Sequence, residues 1–490
     1  MPDPSENSYK QIIKATSIFG GVQVFNILIA IIRSKVIAIL LGPAGIGIIG
    51  LLSSTTSLIS SVSNFGLGIS AVKDIANASS TGDHKRVGFV ASVFKRLVWL
   101  TGILGMVITL VMSSWLSEIT FGNKNYTWSF ILISVTLLLG QLNSGHLVIL
   151  QGTRHLKWLA KANVYSSLLS LILTLPLYYL YGEKGIVPAL IITSVVTLIV
   201  SSFFSRKLNI INIKVGFSEL KVEGREMMKM GLILSISGLI TVLSGYLVRI
   251  FISYYGNVTE VGLFNAGFSI ISTYVGMVFT AMSTDYFPRL SLVAHDDVSS
   301  AKTVNEQAEI ALLILGPILV AFMVFGNFAV QLLYSEEFVP ITQMLIWAVL
   351  GMYFKAASWS MGFLFLAKGD SKNYFWNELF ANIYMLLLNI AGYYFGGLEG
   401  LGISFLIGYI LYYIQVYLIT KYLYRFKISR EHIIFFSTML AFGLCAFLLV
   451  KMVQPIYYYV IGSILIIVTV ALSVKHLDRK LHFLKNFKRK

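Results

Sequence analysis

Cysteine is almost absent from the sequence. The one residue, Cys445, sits in an apolar run, so neither a disulfide framework nor a cysteine metal site can form within the chain. Charge is scarce too. Asp, Glu, Lys and Arg make up 12% of the 490 residues, about half the share of a soluble domain. There is no phosphate-cradling Gly-Lys-Ser loop, no nucleophile elbow and no cluster of carboxylates, so nothing reads as an ATPase. The seven histidines show no metal-ligand spacing, and no cofactor is implied. What is present is apolar: 56% of residues are hydrophobic. That composition implies an all-α, multi-pass membrane protein. The net charge of +16 then reads as cations flanking membrane helices, and nucleic acid is not expected as a partner.

The N-terminal residues Met1 to Ser8 are polar and not basic, and the apolar run after them is too long for a signal-peptide core. A spanning helix needs about 20 mostly apolar residues. Runs bounded by Gly, Pro or charge give about fourteen such spans, the first at roughly 12–41 and the last at 455–474. Two long apolar runs are split only by glycine punctuation, at Gly182-Glu183-Lys184-Gly185 and at Gly396-Gly397-Leu398-Glu399-Gly400, which marks hairpins. With alternate loops assigned to alternate sides, 28 basic residues fall on the side of both termini. Only Lys124, Lys184 and Lys451 fall on the other. The excess predicts cytoplasmic termini. The inner segment Arg289 to Glu306 is polar, which suggests a surface helix.

An internal repeat runs through the chain. Gly47-Ile-Ile-Gly matches Gly262-Leu-Phe-Asn at an offset of 215. Ser117 to Asn123 resembles Val330 to Glu336 at 213. Ile149 to Thr153 matches Leu366 to Asp370 at 217, and Tyr178 to Ile186 matches Tyr393 to Leu401 at 215. Six spans per half make the repeat a parallel one. The expected domains are a six-helix bundle over 1–205, a cytoplasmic linker over 206–226 and a second six-helix bundle over 227–424. Two additional helices and a basic tail follow over 425–490.

A cation deep in a membrane helix is costly and is a functional candidate by default. Gln23, Asn26 and Arg33 are spaced by three and seven, so they share one face of the first helix and should look into protein or a water-filled cavity. Lys35 points elsewhere and is expected to snorkel. Arg249 shares its face with Ser235, Gly238 and Gly245, so close helix packing competes with a cavity role. Lys355 lies fifteen residues after Pro340, near the bilayer midplane, with Trp359 one turn on. Its alternative role is a structural pair with Glu378 in the next helix. Asp285 and Arg289 suggest a local ion pair at a helix end.

The chain resembles the Wzx-type O-antigen translocases, lipid-linked oligosaccharide flippases of the multidrug/oligosaccharidyl-lipid/polysaccharide exporter superfamily, and among them the flippases of enterobacterial common antigen. The resemblance is carried by overall architecture and by Leu41-Gly-Pro-Ala-Gly-Ile-Gly after a helix bearing Lys35, with Asp285-Tyr-Phe-Pro-Arg-Leu-Ser and Leu333-Tyr-Ser-Glu-Glu-Phe in support. It implies a transporter of the bacterial inner membrane that moves undecaprenyl-diphosphate-linked oligosaccharide between leaflets by alternating access. It further implies coupling to a proton or sodium gradient and association with glycan-assembly partners. Arg33, Arg249 and Lys355, with Asn26, Gln23 and Trp359, are the candidate substrate-binding residues. Drug exporters of the superfamily carry an acidic residue in the first helix, and this chain has none in its first span, 12–41. A drug antiporter is the rival transporter. A membrane glycosyltransferase or O-antigen polymerase is the rival enzyme, but the outer loops are too short for its chemistry.

Overall fold

Apolar runs of this length leave the backbone no choice but to satisfy its own hydrogen bonds, and they do so as α-helices. The computed structural model describes residues 4–211 and 213–481, with side chains from Phe25 onward except at 217, 233, 234, 274, 281, 284, 455 and 479–481. In order, the helices are α1 (Pro4–Ser63), α2 (Leu67–Ser80), α3 (His84–Val111), α4 (Ser113–Phe121), α5 (Thr127–Gly152), α6 (Leu156–Tyr181), α7 (Ile186–Arg206) and α8 (Phe217–Tyr255). They continue as α9 (Val258–Ser269), α10 (Met277–Leu292), α11 (Asp297–Val324), α12 (Gly326–Leu333), α13 (Ile341–Ala367), α14 (Ser371–Tyr424), α15 (Arg430–Met452) and α16 (Pro455–Leu481). The chain divides by packing into two units that meet in sequence at Gly262 and Leu263.

Among the described residues eleven helical stretches are long and apolar enough to cross a membrane. Three of them exceed one crossing: Phe25–Ser63 (39 residues), Leu156–Arg206 (51) and Ser371–Tyr424 (54). The last would be about 80 Å long if straight, against about 30 Å of hydrocarbon. Each is interrupted at a glycine with positive φ: Gly42 (φ 61°), Gly182 (φ 55°) and Gly397 (φ 55°). The sequence expectation of fourteen spans divides each stretch at that glycine. In α14 the two arms fold into an antiparallel hairpin. Gln415 donates to Asn377 (2.9 Å to Oδ1), and Ser404 donates to Asn389 (2.7 Å). Next to the turn, Gly392 and Gly400 lie backbone to backbone, where a side chain on either would collide with the other's carbonyl.

The repeat is visible in backbone conformation. Gly182 and Gly397, 215 residues apart, have nearly the same φ/ψ (55°, −132° and 55°, −138°). Gly185 approaches the Leu177 carbonyl as Gly400 approaches that of Gly392, again at 215. The ends of α5 and α13 repeat three hydrogen bonds at the same offset. Thr153 N–H donates to Ile149, Arg154 to Gln151 and His155 to Leu150. Lys368 donates to Leu364, Gly369 to Leu366 and Asp370 to Phe365. This corrects the 217 register read for that pair. The sequence match put Gly152 opposite Gly369, but the left-handed residue that ends each helix is Arg154 (φ 57°) in one and Gly369 (φ 71°) in the other. At an offset of 213, Asp83 caps α3 and Asp296 caps α11, each accepting from two backbone N–H groups of the first turn. Those donors stabilise the charged form. With the Ser299 hydroxyl foremost, followed by the Val298 and Ser299 N–H groups, they hold the Asp296 carboxyl below the usual carboxylate range.

A side chain at Gly182 or Gly397 would meet nothing within 4 Å, so only backbone strain opposes substitution there. That strain is worth about 1–3 kcal/mol. Gly182→Ala and Gly397→Ala should therefore each lower the thermal unfolding temperature of the purified protein. Gly396→Ala, equally open but without positive φ, should leave it unchanged. Equal melting of all three would show that the hairpin turns do not depend on these torsions.

In the N-terminal unit α5 packs against α3 and α7, α6 against α7, and α1 against α6 and α8. Leu67, Ala71 and Ile75 of α2 join Val90, Phe94 and Leu97 of α3 in one buried core. In the C-terminal unit α13 packs on α14, and α11 packs on α13, α15 and α16. The polar segment Arg289 to Glu306 holds no separate surface helix. α10 runs on to Leu292 and α11 starts at Asp297, because the Asp296 cap makes the segment the first turns of α11. Exposed large apolar side chains are many, among them Leu180, Leu387 and Ile467. In water they would form an adhesive patch. On a multi-pass membrane protein they are the lipid-facing surface. Exposed rings near helix ends, such as Trp128, Tyr179, Tyr254 and Tyr394, suit the membrane–water boundary.

Candidate functional site

The polar stripe of α1 meets three other helices. Asn26 and Arg33 line a cavity of about 250 Å³ inside the N-terminal unit. Asn143 of α5, Thr193 and Thr197 of α7, and a row on α6 complete its polar lining. That row, Asn163, Ser166, Ser167 and Ser170, has helical spacing of three and four, so one face of α6 supplies it. Among the described residues Arg33 is the only charged one of the lining, and Lys35, half-buried, is not part of it. The side chain of Gln23 lies outside the described ones. A second cavity of about 550 Å³ in the same unit is lined by α1, α2, α3, α5 and α8, with Asn64, Gln141, Ser144, Gln151 and Ser235 among its polar groups and no charge among the described residues.

Arg249 lines neither cavity. Its guanidinium donates to the Gly245 carbonyl one turn back on α8 (2.8 Å). The absence of a side chain at Gly245 leaves room for that fold-back, since a Cβ there would lie 3.1 Å from the guanidinium. The C-terminal part of α8 is further tied to α4 by Tyr246, whose hydroxyl is 3.0 Å from that of Thr120.

Lys355 and Trp359 come together around Phe279 of α10 in the C-terminal unit. The Lys355 Nζ lies 5.9 Å from the Phe279 ring and 5.2 Å from that of Tyr409 on α14. Trp359 packs in tilted geometry against Phe279 (ring centroids 5.3 Å apart) and Tyr286 (5.6 Å). Among the described residues no carboxylate lies within ion-pair distance of Lys355. Glu378, the suggested structural partner, is engaged elsewhere. Its Oε1 accepts from the Tyr412 hydroxyl (2.8 Å) and from Asn377 Nδ2 (3.2 Å). A lysine at the middle of a membrane helix costs about 2.5–3.5 kcal/mol. Cation–π contacts of about 0.5–2 kcal/mol each offset part of that. Asp285 and Arg289 form the expected local ion pair (2.8 Å) at the end of α10.

No periodicity argument places Phe279 or Tyr409 beside Lys355, because they come from other helices. The α6 row is different. Its spacing was present in the sequence as a second polar stripe like that of α1.

Solved structures with this architecture include membrane transporters. Lipid II flippase MurJ in an inward closed conformation superposes with a TM-score of 0.71 over 96% of this chain and 99% of its own, at 13% identity. An inward-facing multidrug resistance MATE family transporter of the MOP superfamily gives 0.65 over 85% and 95%, at 16% identity. A MOP superfamily transporter from Pyrococcus furiosus, described as having a binding pocket of reverse polarity, gives 0.59 over 84% and 94%, at 15% identity. Identities this low establish the fold alone. No curated protein matches the sequence. The family model described as polysaccharide biosynthesis protein matches residues 36–343. That span is more than half of the chain and takes in every helix from the glycine break of α1 into α13, so the chain belongs to the polysaccharide biosynthesis protein family and carries it on the multi-pass fold of the MOP transporters.

Proposed function

We propose that this protein is a flippase, not an enzyme, and that it moves an undecaprenyl-diphosphate-linked oligosaccharide from the cytoplasmic to the periplasmic leaflet of the bacterial inner membrane. Lys355 carries the reading: a cation at mid-membrane, ringed by aromatic side chains and without a carboxylate partner among the described residues. A diphosphate is bound chiefly by charge-assisted contacts, and such a lysine supplies one where lipid supplies none. Arg33 adds a second cation inside a polar chamber of the N-terminal unit, and Arg249 is proposed as a third. Both termini are cytoplasmic in this reading, and movement is by alternating access driven by a proton or sodium gradient. A drug-cation antiporter is disfavoured by the same residues, because they would repel its cargo.

The test is reconstitution into vesicles with the undecaprenyl-diphosphate glycan loaded in the inner leaflet. Wild-type protein should expose the glycan to a membrane-impermeant lectin. A glycan that stays inaccessible while new glycosidic bonds appear would make the protein an enzyme instead.

A further inference from the structure

Repeat-related hairpins treat the same face differently in the two units. Counting 215 back, the free ends of the α14 arms correspond to the start of α6 and the end of α7. In the N-terminal unit the chain covers that face itself. Phe204 is buried and shares a core with Trp158 and Leu208. Tyr165 stacks on Phe204 (ring centroids 6.1 Å apart), and the Lys207 ammonium lies 4.4 Å from the Phe203 ring. In α14 the corresponding positions leave a groove of about 430 Å³ between the arms. Asn373, Trp376 and Phe380 line it from one arm, and Leu418, Tyr422 and Leu423 from the other. Exposure is 46% at Trp376, 56% at Phe380, 55% at Leu418 and 87% at Tyr422, so the chain leaves these side chains open. The difference lies in how the chain exits. After α7 it runs on, and Leu208 packs on the core that holds Trp158. After α14, Arg425 is left-handed (φ 53°), and Phe426 turns into a core with Tyr286 and Val304 instead.

The chemistry of the groove selects what covers it. Its amides are already engaged. Asn373 donates to Asp370 (2.7 Å), and the adjoining Asn377 accepts from Gln415 (2.9 Å). The filler is therefore apolar. A volume of 430 Å³ holds about fourteen groups of water size at ~30 Å³ each. A methylene is close to that size, so the groove takes one acyl chain. The mouth is cationic. Lys372 lies one turn before Trp376, and Lys421 three residues after Leu418, so each shares a face with a lining residue. Both are exposed, as is Arg425, and among the described residues no carboxylate lies within ion-pair distance of the three. The Tyr424 hydroxyl donates to Asp370 across the mouth (2.7 Å), so the two arm ends meet there. Cations clustered beside a membrane helix attract anionic headgroups. We propose that the groove between the arms of α14 binds one anionic phospholipid. Its acyl chain lies against Trp376, Phe380 and Leu418, and its phosphate faces Lys372, Lys421 and Arg425. The polyprenyl tail of the proposed cargo fits this straight slot less well, because it is branched along its whole length. The bound lipid ties the arms together at their open end, and the site does not depend on the flippase reading.

Native mass spectrometry of the purified full-length protein tests this, with phosphatidylglycerol or phosphatidylcholine added to the detergent. One phosphatidylglycerol should stay bound at about a tenth of the concentration that phosphatidylcholine needs or less, since each cation near the headgroup is worth about fivefold in affinity. Its addition should raise the unfolding temperature. Lys372→Gln and Lys421→Gln should each weaken phosphatidylglycerol binding about fivefold and leave phosphatidylcholine unchanged. Leu418→Trp, which fills the groove, should displace the lipid with the cations intact. If that variant does not fold, Phe380→Ala at an exposed wall of the groove should weaken binding severalfold. Lys157→Gln, at the repeat counterpart of Lys372, should have no effect. Equal retention of the two phospholipids by wild-type protein would make the groove ordinary lipid-facing surface. Undecaprenyl phosphate held more tightly than phosphatidylglycerol, and lost in Leu418→Trp, would give the groove to the cargo's tail. Unchanged binding in both lysine variants, or the same loss in Lys157→Gln, would overturn the proposal outright.

Discussion

Lys355→Gln should abolish assembly of the surface glycan while leaving protein level and membrane insertion unchanged. The side chain sits at the middle of α13, between the rings of Phe279 and Tyr409, with no carboxylate in ion-pair distance among the described residues. Glutamine is similar in reach and removes a charge that costs about 2.5–3.5 kcal/mol to hold at that depth. If the charge were structural ballast, its removal would stabilise the helix and spare function. If the charge binds a diphosphate, its removal takes away a contact of about 1.5–3 kcal/mol in the bound state, one to two decades in affinity, at the point where the headgroup is farthest from water. The undecaprenyl-linked intermediate should then accumulate in the inner leaflet. Lys355→Arg should keep part of the activity, because charge is retained but its geometry changes. Wild-type glycan display by Lys355→Gln at normal expression would end the case for this residue as a cargo contact.

Much of the fold was legible because membrane helices obey few rules. Apolar length gave the spans, and glycine punctuation gave the hairpin turns, later seen as positive φ at Gly182 and Gly397. The repeat was legible wherever glycine does the same backbone work in both halves. It was misread at the ends of α5 and α13, where one half uses glycine and the other an arginine in the same left-handed conformation. Residue identity there is a poorer guide than torsion. The capping pair Asp83 and Asp296 was equally regular but inconspicuous, because a lone aspartate before a helix is common.

The candidate site was half legible. The face shared by Asn26 and Arg33 follows from helical spacing, and both reach one cavity. What they meet there does not follow, since it depends on which helices pack on α1. Likewise Lys355 could be singled out by depth alone, but its aromatic surroundings and the diversion of Glu378 to Tyr412 and Asn377 are tertiary facts. For Arg249 the sequence left packing and cavity roles open, and the fold-back onto Gly245 depends on a rotamer that no pattern encodes.

Gly262→Ala and Gly47→Ala should each destabilise the protein sharply, and the two together should cost less than the sum. In the N-terminal unit these repeat-related glycines make reciprocal contacts. A Cβ on Gly47 would lie 2.0 Å from the Val258 carbonyl oxygen, and one on Gly262 would lie 1.8 Å from that of Pro43. Pro43 and Val258 are themselves 215 residues apart, so each segment presses its glycine onto the same position of the other. This is the self-complementary pattern of a two-fold contact, reached without a second chain. Small residues let membrane helices approach backbone to backbone, and a carbonyl cannot move aside as a flexible side chain can. Forcing one methyl into the contact costs about 1–3 kcal/mol, and leucine at either site should prevent accumulation of folded protein. Once one methyl has separated the segments, the second finds room. The coupling between the two sites should therefore appear as a double-variant cost well short of additive. Gly140→Ala is the control. It has open space around it and gains about 0.5–1 kcal/mol from helix propensity. Thermal unfolding of the four purified variants reads the result. Wild-type melting of Gly262→Ala, or full additivity in the double variant, would mean that the two segments do not hold this contact in the membrane.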